Sequence, residues 1–191
     1  MQIEHLMIEH GAPTLAGLKT ANLFPVKTSI EEVTPMLRRI NRILTGKGIK
    51  AIPVSKKREH TLIYLFRPDR LREDLMNPEA ACMLKEKGYP CTDPDRCISC
   101  LIRHLNEDEQ FPHEIGLFLG YPPSDVRCFM KSTRKGVKCT GCWKAYSNQE
   151  EAERTFEKYR KCTRAYQREM RKGRSLESLA VDTSGNKKIP G

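Results

Sequence analysis

Long hydrophobic runs are missing from this sequence. Nothing in it approaches the roughly 20 apolar residues that a helix needs to cross a bilayer, so no membrane partner is expected. Aromatic residues are few, at 7%, and there is one tryptophan, Trp143. Trp143 and Tyr146 alternate along a short extended segment and read as core rather than as a cofactor-stacking platform. Missing too are a phosphate-binding loop, a dinucleotide fingerprint, a nucleophile elbow and a His-Glu-x-x-His pair. Their absence removes the reaction classes most easily read from a single sequence. No repeat and no low-complexity linker occurs, which favours a single domain. The opening MQIEHLMIEHG holds Glu4 and Glu9 and lacks the basic segment of a secretory signal. A cytoplasmic protein is the expectation, and with it reduced thiols rather than disulfides.

What is present suits a soluble globular chain: 191 residues, 38% hydrophobic and 30% charged. The net charge of +10 is unevenly spread. Residues 1–60 hold 10 Lys/Arg against 5 Asp/Glu, residues 61–127 hold 8 against 12, and residues 128–191 hold 16 against 7. A basic C-terminal third of this kind suits an acidic protein or redox partner, or nucleic acid; it equally suits a solubilising surface.

Periodicity predicts an α+β fold, with a small antiparallel sheet near the N-terminus, a mainly helical middle and a long C-terminal helix. A helix is expected over residues 2–10, a loop at GAPTLAG and a strand at TANLFPV. Ser29 with Glu32 reads as a capping box opening a helix through Leu37, Ile40 and Leu44. IKAIPV and TLIYLF read as a hairpin joined by polar SKKREH. Short helices follow at 69–76 and 78–87, then one from Asp95 to about Asn106. In the last long element Ala152, Phe156, Tyr159, Thr163, Tyr166 and Met170 fall on one face, with Ser147 and Glu150 as its capping box. One domain over residues 1–182 and a disordered tail at 183–191 complete the expectation.

Three motifs, HGAPTLAGLKTANLF, FPHEIGLFLGYPPSDV and CTGCWKAY, stand in this order. Together they resemble an uncharacterised domain-of-unknown-function family of small proteins from anaerobic Gram-positive bacteria, over roughly residues 5 to 180. The resemblance implies a cytoplasmic bacterial protein, supplies no activity, and tilts expectation toward iron or electron-transfer biology.

Eight cysteines give the residues their sharpest chemistry. Cys97 with Cys100, and Cys139 with Cys142, form two C-x-x-C pairs separated by 38 residues. A tetrahedral zinc or iron site needs four soft donors, and each pair supplies two. Thr-Gly inside the second pair suits a turn aiming both sulfurs inward. His104 extends the line of Cys97 and Cys100 on a helix, and Cys91 lies close in sequence. Zinc or iron binding through these residues is the leading expectation, with buried thiols or redox-active thiols as the other readings. A second reading takes residues 113–131 as a helix-turn-helix unit presenting Ser124, Arg127 and Lys131, with Arg134 and Lys135 on phosphates. A third takes an enzyme or ligand-binding pocket near His10, Lys19, His113 and Glu114.

Overall fold

The computed structural model describes residues 3–57, 60–90, 93–107, 110–131 and 136–183. They form an α+β fold. The chain divides into two compact units, one of residues 1–69 and 162–191, the other of residues 70–161.

The first unit is built on a three-stranded antiparallel sheet. Strands β1 (Ala21–Val26), β2 (Lys50–Lys57) and β3 (His60–Phe66) lie in the order β1-β3-β2. Central β3 carries the apolar run TLIYLF and is buried along nearly its whole length. Pro25 and Pro53 stand on the two flanking strands, where a missing N–H costs no ladder bond on the outer edge. The hairpin is tighter than the composition of SKKREH suggests. Ser55, Lys56 and Lys57 pair with Leu62, Thr61 and His60, after a register shift between Pro53 and Ser55. Backbone pairing along an already established ladder overrides the polar composition.

Helix α1 (Ile3–Leu15) runs straight through GAPTL, a segment whose composition predicts a loop. Burial explains the difference, because Gly11 to Leu15 are all buried. A Cβ on Gly11 would lie 2.4 Å from Leu65 Cδ2, so the glycine here serves close approach to β3 rather than a turn. Helix α2 (Ile30–Leu44) starts with the expected reciprocal cap between Ser29 and Glu32. It buries Val33, Leu37, Ile40 and Leu44 in a core shared with Met7, Phe24, Ile63 and Leu65.

Arg67, just beyond β3, is 1% exposed. Nε donates to Thr14 O at 2.7 Å, Nη1 to Lys47 O at 3.2 Å and Thr183 Oγ1 at 2.6 Å, and Nη2 to Leu15 O and Val181 O at 2.8 Å each. All five guanidinium donors are thus engaged, tying α1, the single 3-10 turn (Thr45–Lys47) that follows α2 and the C-terminal segment to the sheet.

The second unit holds most of helix α3 (Pro68–Met76), then α4 (Pro78–Glu86), α5 (Pro94–Glu107), the short α6 (Ile115–Phe118) and α7 (Pro123–Met130). A two-residue hairpin, β4 (Cys139–Thr140) with β5 (Lys144–Ala145), follows. The long helix α8 (Gln149–Arg171) spans 23 residues, and the unit boundary falls within it between Lys161 and Cys162. Its expected apolar face is there: Ala152 and Phe156 are buried, and Tyr159, Thr163, Tyr166 and Met170 are half-buried. Its cap sits one residue later than Ser147 and Glu150 suggest. Asn148 Oδ1 accepts from Glu151 N at 3.2 Å, because Ser147 is committed elsewhere. A last short helix, α9 (Leu176–Leu179), belongs to the first unit. The expected disordered tail lies almost wholly outside the described residues. No described helix is long and apolar enough to cross a membrane.

Candidate functional site

The α6–α7 motif and the β4–β5 hairpin form one local structure in the second unit. Gly116 allows the two short helices to cross closely, since a Cβ there would lie 2.8 Å from Val126 Cγ2. Gly120 makes the turn with φ at 74°, a left-handed conformation that glycine adopts without cost. Pro123 then starts α7 and sets Asp125 in its first turn, 3% exposed.

Asp125 is the hub of this region. Its Oδ1 accepts from Tyr146 N, Ser147 N and Ser147 Oγ, each at 2.9 Å, and its Oδ2 accepts from Trp143 Nε1 at 2.9 Å. A buried carboxylate with four donors is well compensated for lost hydration. The indole so fixed lies against Tyr121, with ring centroids 5.0 Å apart, and edge-on to Phe156 at 4.6 Å.

Around these rings opens a pocket of about 450 Å³. Phe111, Tyr121, Val126, Phe129 and Trp143 supply its apolar walls, and His113, Cys142 and Lys144 reach it as polar groups. His113 meets Phe129 edge-on with centroids 5.0 Å apart, while Lys144 Nζ stands 5.5 Å from the centre of the same ring. Burial, then the neighbouring Cys142 and Tyr159, pushes the Tyr121 hydroxyl well above its ordinary value. It therefore stays a neutral phenol throughout the physiological range.

The residues expected to bind metal are placed as follows. Cys97 is buried and donates to Pro90 O at 3.2 Å. Cys100 lies one turn before His104, with Sγ and Nε2 3.7 Å apart. Cys139 is half-buried and Cys142 exposed on the hairpin, so the C-T-G-C turn does not carry both sulfurs inward. Partial burial, followed by the Glu153 and Asp125 carboxylates, raises the Cys139 thiol. Cys91 lies outside the described residues. Among the described residues no three His, Cys, Asp or Glu side chains are gathered as a metal-binding group.

The glycine of that turn has a packing role. A Cβ on Gly141 would stand 2.3–2.6 Å from three atoms of the Phe156 ring. Gly141→Ala is expected to cost about 1–3 kcal/mol in thermal unfolding, the usual scale of overpacking. An unchanged melting temperature would rule out this packing role.

For the nucleic-acid reading, α6 has four residues, too few for a docking helix pair, and Arg127 Nε pairs with Glu79 Oε1 at 3.2 Å. Ser124 is half-buried in the first turn of α7, and Lys131 is exposed just after it. Arg134 and Lys135 lie outside the described residues. The third set divides: His113 lines the pocket, while His10, stacked on Phe24, and buried Lys19 belong to the first unit.

Glu114 follows His113 in sequence but faces a different environment. It is 5% exposed, accepts from Tyr89 Oη at 2.9 Å, and lies 3.5 Å from His104 Nδ1. No spacing rule connects residues 89, 104 and 114, so this buried set was not legible in the sequence. The Asp125 hub was hidden for a related reason. An aspartate in a first helical turn reads as a dipole partner, and its true donors lie 18 to 22 residues away.

The chain belongs to the family described as Protein of unknown function (DUF3793), which matches residues 7–180. No curated protein and no solved structure matches it.

Proposed function

We propose that this member of the DUF3793 family is a small-ligand binder, and that its ligand is a planar, largely apolar molecule with one anionic group. The pocket of about 450 Å³ carries this reading. It is within the usual size range for ligand sites, and its lining combines many apolar walls with a few polar groups, as such sites do. The flat faces of Trp143, Tyr121 and Phe129 favour a flat guest. Lys144 and His113 supply the groups that would meet an anion, while Asp125 is occupied by its four donors.

Trp143 is the only tryptophan of the chain, so its emission reports on the pocket alone. Titration with 8-anilinonaphthalene-1-sulfonate, a flat aromatic anion, is expected to quench that emission saturably. Phe129→Ala is expected to weaken the apparent affinity by about tenfold, the scale of one lost aromatic wall. Lys144→Ala is expected to weaken it less and to flatten its salt dependence. Emission that does not respond, or a titration indifferent to Phe129→Ala, would overturn the reading.

A further inference from the structure

Away from the pocket, the second unit buries a chain of polar groups that ends on a thiol. Tyr89 Oη donates to Glu114 Oε1 at 2.9 Å. That spends the phenolic proton, so the 3.0 Å contact between Tyr89 Oη and His104 Nδ1 requires the nitrogen to be the donor. In the neutral imidazole the proton then sits on Nδ1 and the lone pair on Nε2. Nε2 is the atom that faces Cys100 Sγ, at 3.7 Å, within sulfur hydrogen-bonding reach. Arg103 Nη2 donates to the same sulfur at 3.5 Å. A nucleophile, a base and groups that orient the base are thus in series, which is the arrangement that activates cysteine in unrelated folds. The ring of His104 is further held edge-on by Tyr89, with centroids 4.9 Å apart. Cys97, three residues earlier on the same helix, instead gives its thiol proton to Pro90 O.

We propose that Cys100 is a nucleophilic thiol site, with His104 as its base and a small hydroperoxide as its electrophile. The residue is 9% exposed, which admits a reagent of two heavy atoms and turns away a peptide or a bulky disulfide. In the step, His104 Nε2 takes the thiol proton while sulfur attacks the distal peroxide oxygen. The S–O bond forms and the O–O bond breaks. Sulfur is oxidised by two electrons to the sulfenic acid, hydrogen peroxide is reduced, and the departing hydroxide takes the proton back from Nε2 to leave as water.

The test uses the reduced full chain and hydrogen peroxide at one equivalent; at timed intervals catalase stops the reaction and urea with excess dimedone unfolds the chain, so that the trap reaches sulfenic acid at buried and exposed cysteines alike. Tryptic cleavage after Arg96 and Arg103 places Cys97 and Cys100 in one peptide, where fragmentation tells them apart. Cys100 is expected to be trapped at least about tenfold faster than Cys97 and than exposed Cys82, a conservative share of what a positioned base contributes. His104→Gln, checked for an unchanged circular dichroism spectrum, is expected to abolish that advantage. Equal trapping of Cys100 and Cys82 in the unmodified protein overturns the proposal without any variant. So does an undiminished Cys100 rate in folded His104→Gln.

Discussion

Replacing Arg67 by methionine is expected to lower the stability of the first unit by about 3–5 kcal/mol, the scale for one partner removed from a buried charged network. Methionine keeps much of the volume, so the loss isolates the polar term. Four backbone carbonyls, those of Thr14, Leu15, Lys47 and Val181, would lose their guanidinium donor, and among the described residues only Thr14 O and Leu15 O would keep a backbone partner, Gly17 N and Val181 N. Arg67→Lys is the sharper comparison. An ammonium has three donors on a single nitrogen and cannot reach five acceptors spread around a planar fork. A cost above about 2 kcal/mol is expected even though the charge is kept. Arg39→Gln is the control: Arg39 is an exposed residue whose ion pair with Glu4 spans 3.7 Å, and a change within about 0.5 kcal/mol is expected there. Denaturant unfolding followed by amide exchange on β3 reads all three. A loss below about 1 kcal/mol for Arg67→Met would mean that the carbonyls find water, and that the fork is not what joins the C-terminal segment to the sheet.

Arg67 also shows where sequence reading stops. The neighbouring strand is legible because TLIYLF is apolar throughout, as a buried central strand must be. The α2 cap is legible because Ser29 and Glu32 stand at the spacing that lets each bond the other's backbone. The face of α8 is legible for a similar reason, since its spacing follows the helical turn. These are local rules. Arg67 in a sequence looks like any surface arginine, and its partners lie 20 to 116 residues away. The GAPTL segment misleads in the opposite direction: glycine and proline normally interrupt a helix, yet here packing against Leu65 outweighs them. The cysteine pairs carry the same lesson. C-x-x-C spacing states what two thiols can do together, but only folding decides whether a second pair arrives. The contact of Cys100 with His104, one turn along its own helix, follows from the spacing, whereas Tyr89 and Glu114 reach His104 from other elements and no spacing announces them.

Asp125→Asn is expected to open the aromatic pocket while leaving most of the second unit folded. The two carboxylate oxygens of Asp125 hold different partners. Oδ1 accepts the three bonds from Tyr146 and Ser147, and an asparagine carbonyl oxygen can take its place. Oδ2 accepts only the Trp143 indole N–H, and an amide nitrogen there sets donor against donor. The indole must then turn away, leaving Tyr121 and Phe156 without the ring that separates them from solvent. A stability loss of about 2–3 kcal/mol is expected, with Trp143 emission shifted to longer wavelength as the ring becomes wetted. Binding of 8-anilinonaphthalene-1-sulfonate should weaken by more than in Phe129→Ala, because a whole wall moves instead of one ring being trimmed. Asp125→Ala removes all four acceptor contacts and is expected to cost about 3–5 kcal/mol, loosening the start of α8 through Ser147 as well as the pocket. The two variants therefore separate a tether for one side chain from a hub for the whole hairpin. Equal losses would place the energy in the Oδ2–indole bond alone; an unchanged emission spectrum in Asp125→Asn would mean that Trp143 is held by its ring contacts, and that the hydrogen bond follows their geometry without setting it.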